Sequence, residues 1–345
     1  MADTPTPISR PQRATTAEQM GSARTQTGIS PSTAGRIVRP SIGVPRERIM
    51  LLGDTVSGKT YAELKLAERK MNEAIAEEKP VPKFYVIDTD DALSTMLGPG
   101  CEFEHLYFDN GGNVYPYTCF SYDEIREALG SIIKNEKPLR HDWVCIDVIN
   151  RVYERAQDLV ASVRNKNLDD AAFQRMREGK GFGAFEPNDW NLVNRAYNTI
   201  QNTLAFQMQA NILLCCHIKP IIDVEGWERR ENLALFDAIG MRPEGSSRAV
   251  GTMDTAIAIW AKRIIRREGN RRVGQAQTVR YMWVAKDRGR GIVSDRMTFD
   301  TDMWETFYDY RTTSPKSANI TDPKSVAAFE READDYQGDE DADTG

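Results

Sequence analysis

The sequence predicts an α/β fold, a mostly parallel sheet flanked by helices and extended by an antiparallel hairpin. Two observations carry this. Between 46 and 315, short apolar runs alternate with longer runs rich in Ala, Leu, Glu and Lys, the order of a parallel sheet covered by helices. Late in the chain the pattern changes: Thr255–Arg266 and Gln277–Lys286 are β-rich and joined by EGNRRVG, which reads as a hairpin added to that sheet.

The elements follow in order. Arg48–Leu52 is a short apolar strand, and Lys59 to about Glu78 is a helix. Lys83–Asp88 (KFYVID) is the next strand, and Glu102–Phe108 is expected to be a third. Ser121, with Glu124 three residues on, forms a capping box that opens a helix over Tyr122–Asn135. Asp142–Asp147 (DWVCID) reads as a buried strand, followed by a helix to about Val163. After GKGFG at 179–183, Asn188 or Asp189 is expected to cap a helix to Gln209, which feeds the strand Asn211–His217.

Outside this domain the composition shifts. In residues 1–45, Thr, Ser, Pro and Gly fill 22 positions and no aromatic occurs, too little apolar surface to offset the entropy of ordering the backbone. Residues 316–345 contain an acidic stretch in which nine carboxylates from 322 onward face only Lys324 and Arg331. Both ends read as disordered tails. No run approaches the roughly 18 apolar residues of a membrane span, and MADTPTPISR lacks the apolar core of a signal peptide; the expectation is a cytoplasmic protein without membrane contact. The five cysteines show no C-x-x-C pairing and only three histidines occur, so neither a disulfide framework nor a zinc centre is expected.

The strongest motif is Gly53-Asp54-Thr55-Val56-Ser57-Gly58-Lys59-Thr60, which fits G-x-x-x-x-G-K-[ST]. It follows an apolar strand and opens a helix, a geometry that aims backbone N–H groups and the positive helix end at phosphate oxygens. Lys59 supplies charge to the β- and γ-phosphates of ATP, and the Thr60 hydroxyl ligates Mg²⁺. Asp147, closing WVCID, is the candidate carboxylate for the magnesium shell. Val148 stands where many ATP motors carry a catalytic Glu, so the base must come from elsewhere. RNKN at 164–167 lacks the Asp of the guanine-specifying N-K-x-D, which disfavours a GTPase.

After the helix, FYVIDTDDAL puts Asp88, Asp90 and Asp91 at a strand end. Here the chain resembles the RecA family, whose catalytic glutamate lies two residues beyond an apolar strand ending in Asp. The resemblance assigns that role to Asp90, one methylene shorter. It extends over about 48–300: NILLCCHIKP places His217 at the family's γ-phosphate sensor, GSSRAVGTMDTAIAI at 245–259 resembles the lead into its hairpin, and VAKDRGRG at 284–291 resembles the hairpin end that reaches a neighbouring subunit's ATP. Lys286 and Arg288, two apart, would point the same way. The family's DNA loops correspond to about 165–188 and 218–250, which with Trp190 and Trp227 are long but mixed in charge. The compact phage RecA-like ATPases of single-strand annealing are the most similar branch.

Residues 262–290 hold ten basic side chains against Glu268 and Asp287. Lys262, Arg263, Arg266, Arg267, Arg271 and Arg272 are the candidate contacts to single-stranded DNA, binding phosphates without regard to sequence; the alternative is a solvated tip or one docked on an acidic surface. The expectation is a magnesium-dependent ATPase in recombination, annealing or repair, DNA-stimulated, assembled as a homo-oligomeric ring or filament, with a single-strand-binding protein as a further partner. Two alternatives stay open: an assembly or packaging motor contacting protein, and a nucleotide-binding structural protein with little turnover.

Overall fold

A computed structural model describes residues 46–164, 185–220, 241–245, 248–264, 267–268, 271–272, 277–288 and 297–313. The chain divides into two units, 1–45 and 46–345, and every described residue belongs to the second. Both expected tails, the GKGFG loop, Trp227, Arg266, and most of the two expected DNA loops lie outside the described residues.

The order is β1 (Arg48–Gly53), α1 (Lys59–Ala76), β2 (Phe84–Asp88), a single turn α2 (Ser94–Leu97), β3 (Val114–Thr118), α3 (Tyr122–Ser131), β4 (Trp143–Asp147), α4 (Ile149–Arg164), α5 (Pro187–Asn202), β5 (Asn211–Pro220), β6 (Met241–Pro243), α6 (Arg248–Thr252), β7 (Thr255–Ile264), β8 (Arg267–Glu268), β9 (Arg271–Arg272), β10 (Gln277–Asp287), β11 (Met297–Phe299) and α7 (Met303–Thr313). Among the described residues, nine strands form one mixed sheet in the order β11-β10-β7-β1-β5-β4-β2-β3, with β6 paired to β5. The segment from β7 to β3 is parallel. The expected antiparallel hairpin is β7 with β10, extended by β11.

Both faces are covered, which is why the central strands read as continuous apolar runs. Ile49 and Leu51 pack with Leu64, Leu66 and Ala67 of α1 and Trp304 and Phe307 of α7. Met50 and Leu52 face the opposite layer, with Ile125 of α3, Val152 of α4 and Tyr197 of α5. The Trp304 indole donates to the Ala62 carbonyl at 2.6 Å, tying α7 to the phosphate-loop helix.

Four local expectations need correction. Glu102–Phe108 is not a strand but a pair of tight 3₁₀ turns, Glu104–Leu106 and Phe108–Asn110. Its buried residues, Phe103 and Leu106, are three apart, a helical rather than a strand spacing. Gly112 lets the chain fold back on that turn, since a Cβ there would lie 2.1 Å from the Leu106 carbonyl oxygen. The third strand is Val114–Thr118, where Pro116 is tolerated at the sheet edge.

Secondly, the cap of α5 is Glu186 rather than Asn188 or Asp189; Pro187 occupies the first helical position and Asp189 accepts from the Glu186 N–H at 2.8 Å. That helix gives way after Asn202 to a wider turn over Thr203–Gln207. Thirdly, α1 stops at Ala76, and Glu78 turns left-handed with φ 53°. Fourthly, α3 ends at Ser131 and continues as a wider turn over Ile132–Glu136, while its capping box from Ser121 and Glu124 is present as read.

Candidate functional site

The G-x-x-x-x-G-K-T segment is the turn from β1 into α1. Gly53 ends β1, and a Cβ there would lie 2.2 Å from Ser57 Oγ and 2.7 Å from the Ile259 carbonyl oxygen, so only glycine lets the loop close against β7. Gly58, at φ 88°, is the left-handed residue that starts α1. Ser57 N–H donates to the Asp54 carbonyl at 3.0 Å, and the Thr55 N–H donates to the Asp54 carboxylate at 2.7 Å. Val56 is 88% exposed at the tip.

Lys59 is buried and donates from Nζ to the carbonyls of Gly53 (2.9 Å) and Asp54 (2.8 Å). Burial pulls its pKa down, and Cys215 and Asp147 act in the opposite direction. The Thr60 hydroxyl donates to Asp147 Oδ2 at 2.5 Å. Asp147 is in register with Asp88 across β4 and β2. Burial pushes its carboxyl up to about 6, against the Thr60 hydrogen bond, and its Oδ1 has no hydrogen-bond partner among the described residues.

Strand order brings His217 in. β5 lies between β1 and β4, and His217 is paired with Gly53 at the foot of the phosphate loop. Asn150 holds it, accepting from its backbone N–H at 3.1 Å and lying 3.4 Å from Nδ1. Burial, then Lys59, lowers its pKa, which favours the neutral imidazole.

The three acids after β2 divide into distinct roles. Asp88 is buried and accepts from the N–H groups of Asp90, Ala92 and Leu93, shaping the turn. Asp91 sits at φ 56° and is exposed. Asp90 is turned toward α4, where Arg151 Nε donates to its Oδ1 at 2.8 Å. The same Arg151 holds Glu154 at 2.7 Å; these partners raise the guanidinium pKa despite partial burial.

Lys286 and Arg288 stand elsewhere. Lys286 Nζ donates to the carbonyls of Val250 (2.7 Å), Gly251 (3.3 Å) and Met253 (2.7 Å) at the end of α6. Arg288 reaches the same Gly251 carbonyl at 3.2 Å and Asp254 at 3.3 Å, so the two side chains do share a side. Lys286 pairs with Ala256, and Ala256 with Met50. That register sets both residues near the start of β1, about 10 Å or more from the phosphate loop at its other end. Beyond Ile259, β7 continues on the phosphate-loop side toward Lys262, which is exposed. Arg263 lies in β7, Arg267 in β8, and Arg271 and Arg272 in β9.

Several residues of this region escaped the sequence reading. Glu63, four residues after Lys59, is 1% exposed. Its signal was an acid within the buried stripe of Lys59, Ala62, Leu66 and Ala67 on α1. Thr89 locks the peptide after Asp147: its N–H donates to the Asp147 carbonyl at 2.7 Å and its hydroxyl accepts from the Val148 N–H at 2.8 Å. The Asp147–Val148 peptide is cis. Asn150, Arg151 and Glu244, whose carboxylate lies 3.9 Å from His217 Nδ1, had no local pattern to announce them. All five cysteines are free. Among the described residues, no helix is long and apolar enough to cross a membrane.

No protein-family model and no curated protein matches the chain.

Proposed function

We propose that the protein is a magnesium-dependent P-loop ATPase of RecA-like type. The observation that carries this reading is the convergence, at one end of β1, β5 and β4, of a glycine-shaped loop, the buried ammonium of Lys59 and the Thr60–Asp147 contact at 2.5 Å. The residues suit the absent groups. Asp147 Oδ1 and Ser57 Oγ are buried with no hydrogen-bond partner among the described residues, and Gly53 leaves no side chain in the cradle.

Thr60 and Asp147 would hold Mg²⁺, which when bound neutralises charge on the phosphates. Lys59 would exchange its two carbonyl acceptors for phosphate oxygens, gaining an anionic partner for a cation that burial disfavours. Thr89 keeps the Asp147 backbone fixed while its side chain changes partners. Neutral His217, oriented by Asn150, has a ring nitrogen to offer next to the loop. Asp90 is the candidate to accept a proton from the attacking water; its ion pair with Arg151 must loosen for it to do so.

The proposal extends to single-stranded DNA as the stimulating partner and to active sites shared in a homo-oligomer. The DNA reading is supported by the concentration of basic residues over 262–272 in the sequence, of which Lys262 lies in β7 beyond the strand pairing with β1. The shared site is supported by the position of Lys286 and Arg288 at the opposite end of β1, away from their own chain's loop. The test is phosphate release from ATP with and without single-stranded DNA, alongside particle size. Stimulated turnover by an oligomer is expected. Turnover insensitive to DNA, with no salt-dependent DNA binding, would turn the reading to a motor that contacts protein.

A further inference from the structure

Beneath the phosphate loop three different elements send metal-ligating groups to one point. Glu63 of α1, Asp147 at the end of β4 and Cys215 within β5 each have a donor atom within 4.8 Å of the others. Cys215 Sγ lies 3.6 Å from Glu63 Oε2. All three residues are at most 2% exposed. Such a core position ordinarily takes an aliphatic side chain, yet Glu63 Oε1 and Asp147 Oδ1 both lie here without a hydrogen-bond partner among the described residues. An orphan buried oxygen costs about 1–3 kcal/mol, and a cation between them would satisfy both.

We propose that Glu63, Asp147 and Cys215 form a second cation site, specific for a thiophilic divalent ion such as Zn²⁺ or Cd²⁺. The thiol decides the class: sulfur selects these ions over magnesium, which keeps to oxygen. Tetrahedral zinc with bonds of about 2.0–2.3 Å places its donors about 3.5 Å apart, so the widest pair must close by about 1 Å.

The charges balance. Burial raises the pKa of both Glu63 and Cys215 far above the usual ranges, leaving them neutral while the Asp147 carboxylate faces the Lys59 ammonium. Binding forms metal–oxygen bonds to Glu63 and Asp147 and a metal–sulfur bond to Cys215. One proton leaves the Glu63 carboxyl and one leaves the Cys215 thiol, both to solvent, and nothing is oxidised or reduced. A dication with three anionic donors beside Lys59 has the same net charge as the site without the ion. The site shares the Asp147 carboxylate with the proposed magnesium position, and two dications so close repel one another, so the thiophilic ion excludes magnesium. Only that exclusion rests on the proposed ATPase reading; the site itself does not.

The experiment uses the full chain, purified with chelator and reductant, the chelator then removed, and no nucleotide. Cd²⁺ is added while the ultraviolet thiolate-to-cadmium band and proton release are followed. The expected result is a band that saturates at a single equivalent with one proton from each of two groups. It should persist in Cys101→Ser, disappear in Cys215→Ser, and need about 10–100-fold more cadmium in Glu63→Gln. Excess Mg²⁺ should weaken cadmium binding. No band from the folded wild-type chain, or a band that survives in Cys215→Ser, overturns the site, and indifference to Mg²⁺ overturns the role of Asp147. Cadmium-113 NMR of the wild-type chain reads the donors without any variant: a mixed sulfur and oxygen shift supports the proposal, and an all-oxygen or all-sulfur shift contradicts it.

Discussion

Lys59 and Lys286 are alike in one respect and opposed in another. Each turns its ammonium group from water onto backbone carbonyls, Lys59 onto two in the loop after β1 and Lys286 onto three at the end of α6. Burial pulls both pKa values down. Their surroundings differ. Lys59 lies beside a raised carboxyl, oxygens with no hydrogen-bond partner among the described residues, and a glycine cradle. Lys286 closes a helix end, where carbonyls lack intrahelical donors and a cation is favoured. The same contact is therefore a holding position in one region and a finished structural task in the other. If Lys286 and Arg288 also serve a neighbour's nucleotide, they must be released from α6 on assembly.

The largest effect should come from breaking that second region. If the proposed shared site holds, replacing Lys286 and Arg288 together by Ala removes the cations offered to a neighbour's nucleotide; ATP turnover should fall about 10³-fold, while the isolated subunit still binds nucleotide. Mixed with Lys59→Ala protein, the double variant should recover activity, because each brings the half-site the other lacks. No recovery in demonstrated co-assemblies would make Lys286 and Arg288 helix-end residues only.

Asp147 offers a measure of the first region. Its folded pKa of about 6 lies above the ordinary 3.8, so between these values the folded chain holds the proton more tightly than the unfolded one. Stability from this group is present below about pH 4 and is lost as pH rises to about 6. The loss amounts to about 3 kcal/mol. Asp147→Asn should therefore flatten unfolding free energy across that window in nucleotide-free protein and abolish magnesium-dependent nucleotide binding. An unchanged slope in denaturant titrations would show that Asp147 is not the strained carboxylate of this site.

Asp90→Asn should lower turnover about 10²-fold with ATP affinity nearly unchanged, since the lost group acts on water. Equal losses of affinity and rate would make Asp90 a structural partner of Arg151. The smallest effect expected is on folding: Lys286→Ala alone should cost about 2 kcal/mol through three lost charged hydrogen bonds, measured by chemical denaturation. No change in stability would mean that the α6 carbonyls find water instead.

The difference between the regions also tracks what was legible. The loop, its lysine and the strand ending at Asp147 were readable because local residues fix them: glycines for the turn, an apolar run for the strand, a helix after it. Lys286 and Arg288 could be placed on one side from their spacing, but not on α6, since that contact joins residues more than thirty positions apart in sequence. Glu63 was overlooked although its helical spacing put it among buried residues, because an acid in that stripe reads as solvent-facing until neighbouring strands are known. The strand expected at Glu102–Phe108 failed for a related reason: the spacing of Phe103 and Leu106 and the close approach at Gly112 favour tight turns, and that approach shows only once the chain has folded back.

The end of β1 is the phosphate site on which the proposed activity depends. Its most direct test is steady-state phosphate release from ATP and Mg²⁺ by the full chain, compared with Lys59→Ala protein of matched folding and assembly. The account predicts measurable turnover in the wild-type chain, reduced at least about 10²-fold by the substitution. Equal rates in the two proteins, or a folded wild-type chain that neither binds nor hydrolyses ATP, would contradict it.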